Sequence, residues 1–425
     1  MGGMRSFPRR LIGWMRRRLT RVPAAEPPTI YDWDLSPHLH PMQGAAGRGG
    51  RLVDHQGREF IDLNSAWGTN LLGYGYPAVS WAIRRQARQF ANLGVPDPNF
   101  FPLMSLLREI VPGAEQIRYG KNGSDVTAGA VRLARAVTGR EHIIHFGYHG
   151  FHDWWMASSD CLGIPKALRG LIHTLPELTP AAVDAEFRRR RDGIACLILD
   201  PMAPPRAGAE AIREIAEIVR RHGALVIFDE MISGFRVAPG GAQEVWAVTP
   251  DLSCYGKSIA NGMPLSVLAG SERFMRLLPQ ARYGMTFEAE SVSIAAALAT
   301  LGELRKKNVC AELARKGRFL REAYAAAAKQ CGLNTGFEGW EARLCLQFED
   351  HGQVGARQLR WLLIQELARA GIITQGSLTM CYSHTDQDLN AVAAAFGEAL
   401  RTVAGAVERG TTQGLLDERI RGCLV

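Results

Sequence analysis

The chain has 425 residues and a mass of 46.6 kDa, enough for one large domain or for two that share an interface. Apolar residues make up 47% and charged residues 22%, which excludes a wholly disordered chain, and no apolar run reaches the roughly 20 residues of a membrane-spanning helix. The net charge of +8 comes almost entirely from residues 1–21, which hold seven arginines and no acid, so the charge does not indicate a nucleic-acid-binding fold.

The first predicted segment is a basic arm with a linker, residues 1–28. Its apolar run Leu11–Met15 ends at Arg16 and is too short for a secretory signal. We favour a solvated arm, and contact with anionic lipid is the alternative. The eight cysteines contain no CxxC pair, which argues against a disulfide framework or a zinc site and favours the cytoplasm.

The middle of the chain alternates strands with helices. A hairpin is predicted over Gly50–Leu63, with its turn at His55-Gln56-Gly57, and helical periodicity covers Pro77–Val111. Between Gly120 and Gly270, short apolar strands alternate with amphipathic helices such as Ala209–His222. This rhythm predicts an α/β fold with a mostly parallel sheet flanked by helices. The predicted strands are Ile143–Phe146, Cys196–Leu199, Leu225–Phe228 and Val267–Ala269.

The C-terminal part predicts a smaller α+β domain after a long Ala/Leu-rich helix that begins near Ser291. Its predicted strands are Arg343–Phe348 and Thr379–Tyr382, and its predicted helices are Gln358–Ala370 and Asp386–Ala404. We expect both chain ends to build this smaller domain. The predicted division is residues 1–28 for the arm, 29–80 for the N-terminal part of the small domain, 81–305 for the large domain and 306–425 for the C-terminal small domain.

Two motifs could hold anionic or cationic groups. Gly120–Asp125 opens the helical run Val126–Val137, so its N–H groups would face an anion such as a phosphate, although an ordinary N-capped helix explains the motif as well. The strand Leu225–Phe228 ends in Asp229-Glu230, where parallel sheets form their ligand crevice. Two acids there indicate a metal site, an acid facing a protonated cofactor nitrogen, or a cap for the following turn.

Two further motifs follow strands. Lys257, within Tyr255–Ser258, lies among small and apolar residues, where the pKa of a lysine can fall far enough for Schiff-base chemistry. Tyr148–Asp153 offers either an aromatic ring that stacks on a planar ligand or, through His149, His152 and Asp153, a metal site.

The order of these motifs, together with the stretches around them, resembles the class-III pyridoxal-phosphate (PLP) aminotransferases, in particular the glutamate-1-semialdehyde aminomutase branch. The resemblance covers roughly residues 45–405 and implies the aspartate-aminotransferase-like fold of type I PLP enzymes. The stretches that carry it are Ala66–Gly68, Gly123–Asp125, Arg132–Arg135, Tyr148–Gly150, Val226–Val237, Gly240–Gln243, Pro250–Leu252, Gly256-Lys257, Gly262–Pro264, Thr286 and His384–Asp386.

The resemblance implies a role for each matching residue. Lys257 forms the internal aldimine and shuttles a proton, and Asp229 keeps the pyridine nitrogen protonated. The remaining implied cofactor contacts are Gly123 and Ser124 to the phosphate, Tyr148 stacked on the ring with His149 beside it, and Thr286 reaching the phosphate from the second subunit of a homodimer. No metal is implied.

The sequence also departs from the family. Asp125 and Asp200 stand where the family has Glu, and Glu288-Ala289-Glu290-Ser291 replaces Ser-Gly-Asn-Pro. Ser36–Met42 replaces the segment that supplies the aminomutase with a carboxylate-binding arginine. We therefore expect a substrate without the semialdehyde's carboxylate arrangement. Glu288 and Glu290 either add negative charge near the cavity, which would repel carboxylates, or face solvent.

We interpret the chain as a cytoplasmic, homodimeric PLP-dependent enzyme that transfers an amino group from a small-molecule donor to a keto or aldehyde acceptor. Intramolecular amino migration is the alternative within the family. A PLP-binding protein without turnover and a metal hydrolase are the alternatives from other classes. The sequence does not identify the donor or the acceptor.

Overall fold

The computed structural model describes residues 44–190, 193–204, 207–417 and 420. The predicted basic arm and the segment Ser36–Met42 lie outside the described residues. Within the described ranges, no helix combines the length and the hydropathy that crossing a bilayer requires.

The strands and helices of the described residues follow in chain order. The strands are β1 (Gly44–Arg48), β2 (Arg51–Asp54), β3 (Glu59–Asp62), β4 (Gln116–Gly120), β5 (His142–Phe146), β6 (Ile172–Thr174), β7 (Ile194–Leu199), β8 (Leu225–Asp229), β9 (Leu252–Tyr255), β10 (Ser266–Gly270), β11 (Thr335–Trp340), β12 (Arg343–Phe348), β13 (Ile372–Ile373) and β14 (Ser377–Leu378). The helices are α1 (Pro77–Ala87), α2 (Phe100–Ile110), α3 (Gly123–Thr138), α4 (Asp153–Met156), α5 (Lys166–Arg169), α6 (Pro180–Arg190), α7 (Ala209–Arg221), α8 (Ala242–Trp246), α9 (Glu272–Met275), α10 (Ser291–Lys306), α11 (Val309–Gln330), α12 (Ala356–Arg369) and α13 (Asp386–Glu408).

The central sheet has the strand order β4-β10-β9-β8-β7-β5-β6. Strands β6, β5, β7, β8 and β9 pair in parallel, while β10 is antiparallel to both of its neighbours. All residues of β7 and β8 are buried, because helices cover both faces of the sheet. Since parallel strands end at the same edge, the residues that follow β5, β7, β8 and β9 meet there.

Two smaller sheets confirm the predicted contribution of both chain ends. One has the order β1-β2-β3-β13, in which β13 from the C-terminal part pairs in parallel with β3. The antiparallel pair β2–β3 is the predicted hairpin. The other sheet has the order β11-β12-β14. The structure gives the fold class as predicted, whereas the residue boundaries between the domains stay a prediction, because α1 and α10 continue across two of them.

The predicted strand Thr379–Tyr382 was wrong. Strand β14 ends at Leu378, and the backbone N–H groups of Thr379 and Tyr382 donate to loop carbonyls, at Leu63 and Leu71, over 2.6 and 2.8 Å. The apolar pattern of this segment therefore reflects burial beneath a loop and not pairing in a sheet.

Candidate active site

A cavity of about 690 Å³ lies at the edge of the central sheet where the parallel strands end. Residues of the loop 64–69 and of strand β14 close it from the opposite side. Six of the seven predicted site residues line this cavity: Gly123, Ser124, Tyr148, His149, Asp229 and Lys257.

The N-terminus of α3 forms the anion-binding end of the cavity. Gly123 and Ser124 are its first residues, so their N–H groups and the positive end of the helix dipole face the cavity. Ser124 Oγ accepts a hydrogen bond of 3.1 Å from the N–H of Phe151. Gly150 has a φ of +106°, and a Cβ atom there would collide with Ser124 Oγ, so only glycine lets the two segments approach this closely.

Asp229 and His149 form a buried pair where β8 and β5 end. The Asp229 side chain is 3% exposed, and its Oδ2 lies 2.8 Å from His149 Nδ1. Its Oδ1 accepts from the N–H of Met231 at 3.2 Å. With Nδ1 bonded to the carboxylate, the imidazole holds Asp229 in one orientation, while the buried His149 Nε2 has no partner among the described residues.

Glu230 points away from the cavity, because successive side chains alternate in direction. Its carboxylate accepts from the N–H groups of Ala242 and Gln243 at 2.9 and 2.8 Å and from Ser233 Oγ. Burial raises the pKa of Glu230 to about 7. Of the two adjacent acids, Glu230 therefore caps α8, and Asp229 alone faces the cavity.

Lys257 follows β9 and reaches the cavity from a strained backbone. Its φ is +40°, a left-handed conformation that is unfavourable for a residue with a side chain and that occurs at functional sites more often than elsewhere. Burial lowers the pKa of Lys257, an effect opposed by the nearby carboxylates of Asp200 and Asp229 and reinforced by the positive charge of Arg343. A lowered pKa favours the neutral, nucleophilic amine.

Asp200, noted in the sequence only as a departure from the family, also lines the cavity, after β7. Burial raises its pKa, with a further contribution from the charge of Asp229. Its Oδ1 accepts from the N–H of Met202 at 2.8 Å, which fixes the carboxyl group beside Lys257.

The loop that covers the cavity has an unusual backbone. Ser65, Ala66 and Trp67 have φ values of +47°, +50° and +55°, and Gly68 follows at +82°. The carbonyl of Gly68 accepts from Arg236 Nη2 at 2.9 Å and from Ser258 Oγ at 3.1 Å. These bonds hold the strained loop against the turn that carries Lys257.

The predicted roles of Tyr148 and Thr286 have the least support from contacts within the described chain. The Tyr148 side chain lines the cavity but is 61% exposed, with its ring edge-on to Trp155 at a centroid distance of 4.7 Å. Thr286 is exposed and does not line this cavity. Its contact with a phosphate in another subunit stays a prediction.

Glu288 and Glu290 do not act as expected. Glu288 forms two bonds with Arg118, of 2.5 and 2.8 Å. Glu290 pairs with Lys121 at 2.8 Å and caps α10 through the N–H groups of its first turn. Neither carboxylate lines the cavity, and each is neutralised by a cation, so the predicted repulsion of carboxylates was wrong.

Arg343, the first residue of β12, is a cavity residue that sequence reasoning missed. The strand itself was predicted, but the sequence does not distinguish an arginine that lines a cavity from one that faces solvent at the start of an alternating strand. The packing of the small sheet over the central sheet shows that Arg343 lines the cavity.

The metal alternative finds no support in the geometry. His149 is turned towards Asp229, and among the described residues no group of three or more His, Cys, Asp or Glu could hold a metal ion.

The side chains fit PLP in three respects. The glycine-lined N-terminus of α3 suits a phosphate, the buried Asp229 suits a protonated ring nitrogen, and Lys257 suits a covalent bond to an aldehyde. The unpartnered Nε2 of His149 leaves a hydrogen-bonding atom available beside them.

Comparison with known proteins agrees with this fit. The sequence profile of the class-III aminotransferases matches residues 36–377. The chain is 31% identical over 384 residues to the 3-aminobutyryl-CoA aminotransferase of Cloacimonas acidaminovorans, covering 87% of this chain and 92% of that protein. It is 33% identical over 326 residues to the glutamate-1-semialdehyde 2,1-aminomutase of Akkermansia muciniphila, covering 72% and 76%. The solved structure of the FumI protein of Sphingopyxis sp. MTA144, with PLP as its internal aldimine, superposes with a TM-score of 0.82 at 26% identity, covering 93% of this chain and 96% of that one.

Proposed function

Because the chain belongs to the class-III aminotransferase family, a family of PLP-dependent enzymes, we propose that it transfers an amino group between two small molecules through Lys257. The observation that carries the proposal is the meeting of Lys257, the Asp229–His149 pair and the N-terminus of α3 in one cavity. The alternative, migration of the amino group within one molecule, is favoured by the identity to aminomutases.

Each side chain has a defined task in this proposal. When bound, PLP supplies an electron sink that stabilises negative charge on the reacting carbon of the substrate. Asp229 would hold the proton on the ring nitrogen, and His149 orients Asp229 through the bond at Oδ2. Gly123 and Ser124 would hold the phosphate, and Tyr148 would lie beside the ring. Lys257 would hold the cofactor through its Nζ, and its amine would take up the proton that leaves the reacting carbon of the substrate.

Transfer between two molecules is supported by the likeness to the aminotransferase of Cloacimonas acidaminovorans, which covers 87% of this chain. Migration keeps comparable support from two aminomutase relatives, which cover 72% and 85% of it. Burial lowers the pKa of Lys257, and either reaction can use the resulting neutral amine, so the pKa does not favour one over the other.

An isotope experiment separates the two reactions. Amino donors that change the cofactor spectrum are first found from a panel of amines, and the best donor is then supplied with ¹⁵N in its amino group. We expect the label to appear in the aminated product, measured by mass spectrometry, with Lys257→Ala as the inactive control. Conversion of glutamate semialdehyde to aminolevulinate without an added donor contradicts the proposed transfer.

We also propose a homodimer in which Thr286 of one subunit reaches the phosphate of the other. Its support is a group of exposed apolar side chains near Thr286: Phe287 follows it in the chain, and Leu93 and Val95 follow Asn92, whose Nδ2 donates to the carbonyl of Thr286 at 3.4 Å. A monomeric mass in light scattering contradicts this assembly. The cytoplasmic location remains part of the proposal and is supported by the free thiols of the seven described cysteines.

A further inference from the structure

Arg343 reaches the cavity because side chains alternate along β12. Leu344 and Leu346 are 0% and 4% exposed and pack into the core, so Arg343 and Cys345 face the other side of the strand. On that side Cys345 is in register with Ser377 of β14, and Ser377 lines the cavity. The face of the small sheet that carries Arg343 is therefore a wall of the cavity.

The hairpin of β11 and β12 is held from two directions. Trp340 Nε1 donates to the carbonyl of Pro201 at 2.9 Å, which ties the hairpin to the loop after β7. On the other side, a Cβ atom at Gly317 of α11 would collide with the carbonyl of Glu341 in the hairpin turn. Arg321 donates to two carbonyls of β11 at 2.5 and 3.0 Å. Arg343 thus projects from a fixed support.

The charged side chains that line the cavity differ in their protein partners. Lys121 is paired with Glu290 at 2.8 Å, and Asp229 is paired with His149. Asp200 accepts a backbone N–H and lies within 4.0 Å of no cationic group of the described residues. The guanidinium of Arg343 forms no hydrogen bond or ion pair with any residue in the described ranges, so its five N–H donors remain available.

We propose that Arg343 binds a carboxylate of the substrate, which makes it the residue that selects acidic amino donors and acceptors. The inference rests on the proposed aminotransferase function and names the substrate class of the same site. A planar guanidinium matches a carboxylate with two parallel hydrogen bonds. Binding the acid at Arg343 leaves the reacting carbon of the substrate to Lys257 on the opposite wall.

The first test measures binding without reaction. The holoenzyme is titrated with butyrate and with butyramide, which is of similar size but uncharged, by isothermal calorimetry. We expect the wild type to prefer butyrate and Arg343→Gln to lose roughly 10- to 100-fold of that preference, while Arg343→Lys, which keeps the charge but not the fork, loses less. Arg318→Gln removes an equal charge from an exposed position outside the cavity and should keep the wild-type preference. Equal preference in wild type and Arg343→Gln overturns the inference.

The second test compares two amino donors, 4-aminobutyrate and butylamine, through the change in the cofactor spectrum. We expect the ratio of kcat/KM for the acid to that for the amine to fall by roughly 10- to 100-fold in Arg343→Gln. PLP content and circular dichroism of the variant show that it is folded and loaded. A wild type that converts butylamine at least as well as 4-aminobutyrate overturns the role of Arg343 but leaves the aminotransferase function intact. A wild type that takes the amino group from no amine of any kind overturns the proposed function itself.

Discussion

The two walls of the cavity hold their charged groups in opposite ways. At the edge of the central sheet, Asp229 and Asp200 each have a fixed protein partner, and Lys257 sits on a strained turn. On the wall formed by the small sheet, Arg343 has no partner in the described chain. Groups that act on a cofactor need fixed positions and altered protonation, whereas a group that acts on a substrate needs free donors.

Two arginines near Lys257 show the same contrast. Arg236 is fully buried, and its guanidinium donates to the carbonyls of Met380 and Gly68 at 2.7 and 2.9 Å. Burial lowers the pKa of Arg236 to about 10. Arg236 therefore joins two segments of the fold, while Arg343 stays available. The first arginine is structural, and the second is open to a ligand.

The largest effect is expected at the sheet edge, from Lys257→Ala. Loss of the covalent bond and of the proton carrier should lower turnover by roughly 10⁴-fold or more. In the wild type, reduction with borohydride followed by digestion and mass spectrometry should find the pyridoxyl label on Lys257. A label on Lys121 or Lys166 would show that the site is assigned to the wrong lysine.

Asp229→Asn should have the next largest effect. The amide keeps the shape but cannot hold a proton on the ring nitrogen, so we expect PLP to bind while turnover falls by about 10²- to 10³-fold. Absorbance gives the PLP content, and steady-state assays give the turnover. Turnover near the wild-type value removes Asp229 from this role.

Stability should separate the two arginines. Arg236→Met leaves the buried carbonyl of Met380 without a donor and the carbonyl of Gly68 with Ser258 Oγ as its remaining donor, and we expect the free energy of unfolding to fall by about 1–3 kcal/mol. Arg343→Met removes no hydrogen bond within the described chain, so a loss of less than about 1 kcal/mol is expected. Urea unfolding of the two apoproteins measures both, and similar losses would refute the contrast.

A smaller effect is expected on the pKa of Lys257, which the charge of Arg343 on the opposite wall helps to lower. Because burial disfavours the ammonium form, the apoprotein lysine should react with an amine-specific reagent at a midpoint below 10.5, the usual value for lysine. The charge of Arg343 adds to this lowering, so Arg343→Gln should move the midpoint upwards. Labelling at a series of pH values, read for the Lys257 peptide by mass spectrometry, gives both midpoints, and an unchanged or lower midpoint in the variant contradicts the coupling.

The smallest effect is expected for Glu288→Gln. Because Arg118 already neutralises Glu288 outside the cavity, the ratio of kcat/KM for 4-aminobutyrate and butylamine should change by less than about 3-fold. A large increase of this ratio in favour of 4-aminobutyrate would show that Glu288 repels carboxylates, as the sequence suggested.

The sequence predicted the sheet edge better than the opposite wall, for a physical reason. Asp229 and Lys257 directly follow strands, and the rule that parallel strands end at one edge brings such residues together. Arg343 belongs to a hairpin whose position depends on contacts with Pro201 and Gly317, far apart in the chain. The partners of Glu288 and Glu290 depend on tertiary packing in the same way, so no local pattern could reveal that both are neutralised.

The hydrogen bond between Trp340 and Pro201 helps to fix the distance between the two walls of the cavity. It joins the hairpin of Arg343 to the loop after β7, so the gap between the guanidinium and Lys257 cannot widen freely. A substrate anchored at one end and reacting at the other must match that gap with its own carbon chain. The hydrogen bond of the Trp340 indole therefore helps to select substrates by length. Among homologous amino acids that differ by one methylene group, we expect kcat/KM to depend on the length of the carbon chain as well as on the charge.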